Sequence, residues 1–409
     1  MMSPMPIASF AQIAQLLREH SDTFRASVHQ RLHQEQLEAF SPLPARPEHF
    51  LPELAAAAAW VLDHCAEPRA GHRPELSGKV ADRLDVLGRT HRRFGYPPAA
   101  YANFSTALCA GLRAVVRESG HYYSLAVACA EDLSEVACAR MAQAALDDAR
   151  AGQPAASAGT VTAVERPARR IAVVTVDTGL PMPYEPGQRV PVTASFVAGG
   201  RWVPLAPAAP SDEMGQVQFH LDLSEGSPSR DLGRTKPGDR WTFGRPEAGL
   251  ALSESAARPV VMIAHGTGWS ALRALVMDML TWTQQPEVTV FRHAEYPGEL
   301  YDLAALSRLA QATSWLHVIA SASHGADEWW VRPQDELPAG LEAHTVSEPV
   351  ELAARSLGPT RSLARSRVLI AGQLPEDLAA AQRSATAARK LGAEAVQVAN
   401  FGPLFSWED

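Results

Sequence analysis

Near residue 155 the hydrophobic pattern changes its period, which predicts at least two domains of different secondary structure. Before that point, segments around 8–20, 22–38, 48–65, 78–92, 98–117 and 122–149 carry apolar residues at three- and four-residue spacing. That spacing is the mark of helices with one buried face. Prolines fall between the segments, at Pro42, Pro44, Pro47, Pro68, Pro97 and Pro98. The stretch AGQPAASAGT at 151–160 is small and polar and reads as a linker. Beyond it, VTAVERPARRIAVVTVDTG, QRVPVTASFV and GQVQFHLDL alternate or run β-branched, with turn residues between them. From residue 258, strand-like PVVMIAHG, EVTVFRHA, LHVIASAS, RVLIAGQ and AEAVQVANF are spaced by helix-like segments. Strands separated by helices predict a parallel sheet with crossover connections.

The bulk numbers exclude several classes. A chain of 409 residues is long enough for two or three domains. The net charge of −8, without a basic cluster, tells against nucleic acid or an anionic membrane surface as the main partner. No apolar run reaches the roughly 18 residues that a membrane span needs, and the N-terminal segment lacks the basic-then-apolar pattern of a secretory signal. Cys65, Cys109, Cys129 and Cys138 form no CxxC pair, so neither a disulfide framework nor a zinc site is expected. A cytoplasmic location is the expectation.

Chemistry-bearing residues are few. Leu84, Leu87 and His91 share one helical face, and a glycine and two prolines follow before an aromatic-rich helix. By spacing alone His91 is either a core histidine or a ligand. A Gly-Thr-Gly turn at Gly266, Thr267 and Gly268, between a strand and a helix, can offer backbone N–H groups to a pyrophosphate. It is equally a tight turn that needs small residues.

The string around His91 resembles the proximal region of the flavohaemoglobins, in which a globin is fused to ferredoxin-reductase-like domains that bind FAD and NAD(P)H. His91 is followed ten residues later by Tyr101, as in that family. The resemblance implies that His91 binds the iron of haem b and that Tyr101 hydrogen-bonds beside it. Phe40 resembles the phenylalanine that wedges the haem, and His29 falls where the family has an oxygen-stabilising tyrosine. The last globin helix carries Gln143 or Ala144 at the position of a family carboxylate, with Asp147 and Asp148 one turn on.

Five turns of the reductase pattern follow in order: Pro186-Gly187-Gln188, Pro237-Gly238-Asp239, Gly244 to Gly249, His265 to Gly268, and Phe401-Gly402-Pro403. The implied layout is multidomain. An all-α globin domain spans 1–150 and a linker 151–160. An antiparallel β-barrel FAD-binding-type domain follows at 161–255, and an α/β parallel-sheet NAD-binding-type domain at 256–409.

The cofactor positions themselves are eroded. The flavin motif Arg-x-Tyr-Ser reads Arg201-Trp202-Val203-Pro204, which keeps the arginine and loses both hydroxyls. Trp202 either stacks on a flavin or belongs to the core. The phosphate loop reads Glu225-Gly226-Ser227-Pro228-Ser229, with Ser229 in place but a carboxylate added. The Cys-Gly-Pro strand end reads Ala371-Gly372-Gln373. These substitutions tell against FAD and NAD(P)H. The expected function is a haem-binding, non-catalytic sensor, regulatory or interaction protein. Its ligand would be oxygen or nitric oxide, and its partner another protein or a second copy. The alternative is an NAD(P)H-dependent haem and FAD oxidoreductase of the nitric oxide dioxygenase type. Asp327 to Arg332 reads as an edge strand or a contact loop, and the Trp-containing tail 405–409 either docks back or projects.

Overall fold

A computed structural model describes residues 9–35, 51–68, 72–254, 258–326, 337–338, 341–373, 375–399, 401–402, 404–405 and 407. Phe40, the loop Asp327 to Arg332 and Pro403 lie outside the described residues. The chain divides into two compact units, Met1–Ala156 with Phe405–Asp409, and Ser157–Leu404.

The first unit is helical. Its elements are α1 (Phe10–Glu19), α2 (Ser21–Glu35), α3 (Leu54–Asp63), α4 (Gly78–His91), α5 (Tyr101–Glu118) and α6 (Leu125–Arg150). Serine side chains cap three of the starts. Ser9, Ser77 and Ser124 accept from the backbone N–H groups of Gln12, Val80 and Val127, satisfying donors that a helix N-terminus leaves free. α2 packs on α5, α4 on α6 and α1 on α3. Two glycines permit close approach. A Cβ on Gly88 would lie 2.2 Å from the Met141 carbonyl oxygen, and one on Gly111 would lie 2.7 Å from the Phe24 ring.

The second unit holds two six-stranded sheets. β1 (Ser157–Ala168), β2 (Ile171–Asp177), β3 (Val190–Ala194), β4 (Val203–Leu205), β5 (Gln216–Asp222) and β6 (Arg240–Phe243) pair antiparallel in the order β4-β3-β6-β1-β2-β5. A bridge between Pro207 and Phe219 draws the two ends together, so the sheet nearly closes into a barrel. Its interior is filled by Val174, Val192, Phe219, Trp241 and Phe243. β1 starts at Ser157, inside the stretch 151–160 read as a linker.

The parallel sheet runs β10-β9-β8-β7-β11-β12. Its strands are β7 (Val260–His265), β8 (Val288–Ala294), β9 (Leu316–Ala322), β10 (Ala343–Thr345), β11 (Arg367–Gly372) and β12 (Ala395–Val398). The intervening helices are α7 (Trp269–Met279), α8 (Leu303–Ala312), α9 (Pro349–Ser356) and α10 (Pro375–Lys390). Every residue of β7 and β8 is buried, as expected of strands covered on both faces. Strand order reverses between β7 and β11, so the carboxyl ends of these two strands form the switch point where such sheets bind ligands. The short edge strand β10 has no clear counterpart in the sequence pattern.

Candidate functional site

The helical unit encloses an apolar cavity of about 300 Å³. Phe24 of α2, Leu54 and Val61 of α3, Leu84, Leu87 and His91 of α4, Phe104 and Leu108 of α5, and Met141 of α6 contribute to its wall. The turn after α4 explains how His91 meets its neighbour. A short 3-10 turn spans Arg92–Phe94, and Gly95 at φ +74° reverses the chain. Pro97 and Pro98 then restart it so that α5 begins at Tyr101. The Tyr101 hydroxyl thereby lies 3.0 Å from His91 Nδ1.

Among the described residues this is the one hydrogen bond of His91, and its Nε2 has none. Burial, with Arg93 adding repulsion, pushes the His91 pKa down to about 4, so the ring is neutral at pH 7. Burial likewise pushes the Tyr101 phenol well above its ordinary range. A neutral imidazole whose Nδ1 is held by a partner leaves the Nε2 lone pair for a metal. The donor set therefore fits haem: an imidazole nitrogen that would hold the iron, a phenol that fixes the ring, and an apolar enclosure.

Among the described residues no carboxylate is hydrogen-bonded to His91. Gln143 donates to Asp147 at 2.7 Å, and Asp148 accepts from Arg92. His29 is buried with its ring centroid 4.3 Å from that of His33, and it is not among the residues lining the cavity. α2 turns Phe24, Val28 and Leu32 to the core at four-residue spacing. His29 follows Val28 and so sits about 100° further round the helix.

In the second unit three of the sequence turns converge. Arg189, next to Pro186-Gly187-Gln188, pairs with Glu247 at 2.9 Å and donates to the Gly402 carbonyl at 3.0 Å. Both partners of the pair are buried. A Cβ on Gly249 would lie 2.0 Å from the Gly187 oxygen, so only glycine allows the crossing.

The flavin-like positions also meet, with Ser227 and Ser229 buried and Arg201 exposed. Arg201 lies 3.5 Å from the Pro228 carbonyl and 3.3 Å from the Asp231 carboxylate. The Ser227 and Ser229 hydroxyls both donate to the Asp222 carbonyl, at 2.9 and 2.8 Å, and Ser229 is buried. Val203 is buried in β4, where Pro204 pairs opposite Pro191, and Trp202 is half-buried. These residues offer a flavin diphosphate an exposed arginine already held by a carboxylate, and no free hydroxyl.

At the switch point Gly266 takes φ +51°, and Thr267 and Trp269 are fully buried. The Gly268 Cα packs against the Ala371 carbonyl, where a Cβ would come within 2.4 Å. A feature that sequence reading missed lies here. The Asp377 carboxylate stands over Gly266, its Oδ2 2.6 Å from where a Cβ would be. Desolvation, together with Asp222, Glu299 and Glu376, pushes the Asp377 pKa up to about 7. The only sequence signal was the acidic pair Glu376-Asp377 opening α10. Thr267 Oγ1, Arg292 Nε and both Gln373 amide atoms are buried without a hydrogen-bond partner among the described residues. A carboxylate over the glycine turn, with three more acids near, opposes a pyrophosphate.

No protein-family model matches the chain. The reductase component DmpP of a phenol 2-monooxygenase, from a Pseudomonas strain, is 29% identical over 133 residues. That match spans 32% of this chain and 37% of the length of that relative. Among solved structures, a flavohemoglobin from Malassezia yamatoensis, with bound FAD and heme, aligns over 97% of this chain and 100% of its own. Its TM-score is 0.66 at 13% identity. The flavohemoglobin-like FAD/NAD-binding domain of a Vibrio cholerae nitric oxide dioxygenase aligns over 60% of this chain and 99% of its own, with a TM-score of 0.46 at 15% identity. The chain is thus flavohaemoglobin-like in fold: globin-type helices, then an antiparallel barrel, then a parallel α/β sheet.

Proposed function

We propose that this protein binds haem b through His91 in the helical unit, and that its reductase-like unit does not run a nicotinamide-to-flavin relay. The observation that carries the first half is the His91–Tyr101 pair in the wall of an apolar cavity. Bound haem supplies an iron that can take a diatomic gas such as oxygen or nitric oxide. His91 would hold the iron through Nε2, Tyr101 would fix the ring through Nδ1, and the leucine and phenylalanine wall would exclude water. Without a carboxylate on His91, the ligand is less anionic than in peroxidase-like sites, which favours reversible binding over activation of bound oxygen. Phe24 and not His29 belongs to the α2 side of the cavity wall, so that side offers bound gas no hydrogen bond.

The second half rests on Asp377 over Gly266 and on the inward-facing Ser227 and Ser229. This supports a sensor, regulatory or interaction role. Full-length protein loaded with haemin should show a Soret band that His91→Ala abolishes. An unchanged band in that variant would show that another group holds the iron. Stoichiometric flavin in the purified protein, with NADH oxidation, would instead establish the alternative reading, a nitric oxide dioxygenase-type oxidoreductase.

A further inference from the structure

The chain's last residues belong to the helical unit, not to the unit that precedes them in sequence. Trp407 packs against the helical core and lines the same cavity as His91. Its indole stands edge-on to that of Trp60, with centroids 5.6 Å apart, and Trp60 is fully buried in α3. Phe405 stands edge-on to Trp407 at 5.5 Å. The Arg83 guanidinium of α4 binds all three rings. Its carbon lies 4.0 Å from the Trp60 centroid, 5.1 Å from Phe405 and 5.5 Å from Trp407. A guanidinium over aromatic faces is held by the ring quadrupoles and by stacking. His64 stacks on Trp60 at 4.1 Å, and Lys79 lies 5.2 Å from the same ring.

The clamp sits where the cavity needs it. Trp60 and Arg83 each directly precede a cavity-wall residue, Val61 on α3 and Leu84 on α4. The tail therefore rests on the two helices that carry the wall. An indole is a large, flat apolar group, and once clamped it takes space that water or a ligand would otherwise use.

We infer that Trp407 is a ligand-cavity residue: Arg83 clamps the C-terminal tail onto α3 and α4, and the indole closes the cavity there, limiting the size of the apolar ligand it admits. The identity of what His91 holds rests on the haem reading, whereas the closure itself does not. The guanidinium is the lock, because among the described residues Arg83 is the cation that lies over both aromatic residues of the tail.

The test uses the full chain and the variants Trp407→Ala, Trp407→Phe and Arg83→Met, with circular dichroism to confirm folding. In haem-loaded protein, association of carbon monoxide is compared with that of n-butyl isocyanide. Trp407→Ala should bind the bulky isocyanide about tenfold faster, as removal of a barrier of about 1.4 kcal/mol would give. Carbon monoxide should change far less. Arg83→Met should move the isocyanide rate the same way, and Trp407→Phe should lie between. In haem-free protein, Trp407→Ala and Arg83→Met should raise the fluorescence of anilinonaphthalene sulfonate, which lights up in opened apolar cavities. Should Trp407→Ala not fold, Arg83→Met and Trp407→Phe decide. Folded variants with unchanged dye fluorescence and unchanged isocyanide rates would overturn the inference while leaving the haem reading intact. A wild-type chain that takes up no haem, with variants that still gain dye fluorescence, would do the reverse.

Discussion

The hydrogen bond between His91 and Tyr101 is the residue-scale feature with the most direct consequence. The phenol fixes the imidazole ring, and loss of such an outer partner costs about 10- to 100-fold in metal affinity. Tyr101→Phe should therefore keep the Soret band but speed haem transfer to an apomyoglobin acceptor by about tenfold. Asp377 is the second such residue. Its folded pKa, near 7, lies above the ordinary carboxylate value that the unfolded chain would show. A raised folded pKa means that stability is fully present below the unfolded value and is lost as pH rises through the folded one. Asp377→Asn should accordingly match wild type in Tm at pH 3 and exceed it at pH 8. Equal Tm values at both pH values would show that the carboxyl is not strained by its neighbours. His265 and His293 carry the opposite sign: burial pushes them down to about 3 and about 4, so they withdraw stability as pH falls below the ordinary histidine value.

At the scale of elements, the crossing of α4 and α6 decides where His91 sits. Gly88 lets the Met141 backbone approach to a distance that no Cβ would allow. Gly88→Ala should cost about 1–3 kcal/mol through overpacking. Because Gly88 lies one turn before His91, it should also shift or broaden the Soret band. A Tm within a degree of wild type would mean that the helices part without penalty. The elements themselves were largely legible. The six helical segments and the longer strands follow from periodicity, whereas the short strands β4, β6 and β10 do not. The rotation of α2 was not legible. The same pattern that places a buried face on α2 does not say whether Phe24 or His29 meets the cavity, since both are buried. That choice depends on the rotation of α2 against α5, set by Phe24 packing on Gly111.

At the scale of the whole molecule, the fold is flavohaemoglobin-like, and several polar groups at the positions of the flavin and nicotinamide motifs are engaged by the protein itself. Arg201 is held by Asp231, Ser229 by its own turn, and Gly266 is faced by Asp377. Haem-loaded protein mixed anaerobically with NADH should keep its ferric spectrum over a time in which a working relay would reduce it fully. Reduction within seconds would show that a dinucleotide and a flavin still bind.

The sequence by itself determined the period change near residue 155, the order of the longer elements, and the spacing that puts His91 on an apolar helix face ten residues before Tyr101. Those are local properties: periodicity, spacing and residue chemistry act over a few turns of chain. Only the tertiary structure decided that Phe24 displaces His29 from the cavity wall, that Asp377 covers Gly266 from about 110 residues away, and that Trp407 lines the cavity of His91. Each of these joins residues far apart in sequence. Packing free energy, not local pattern, brings them together.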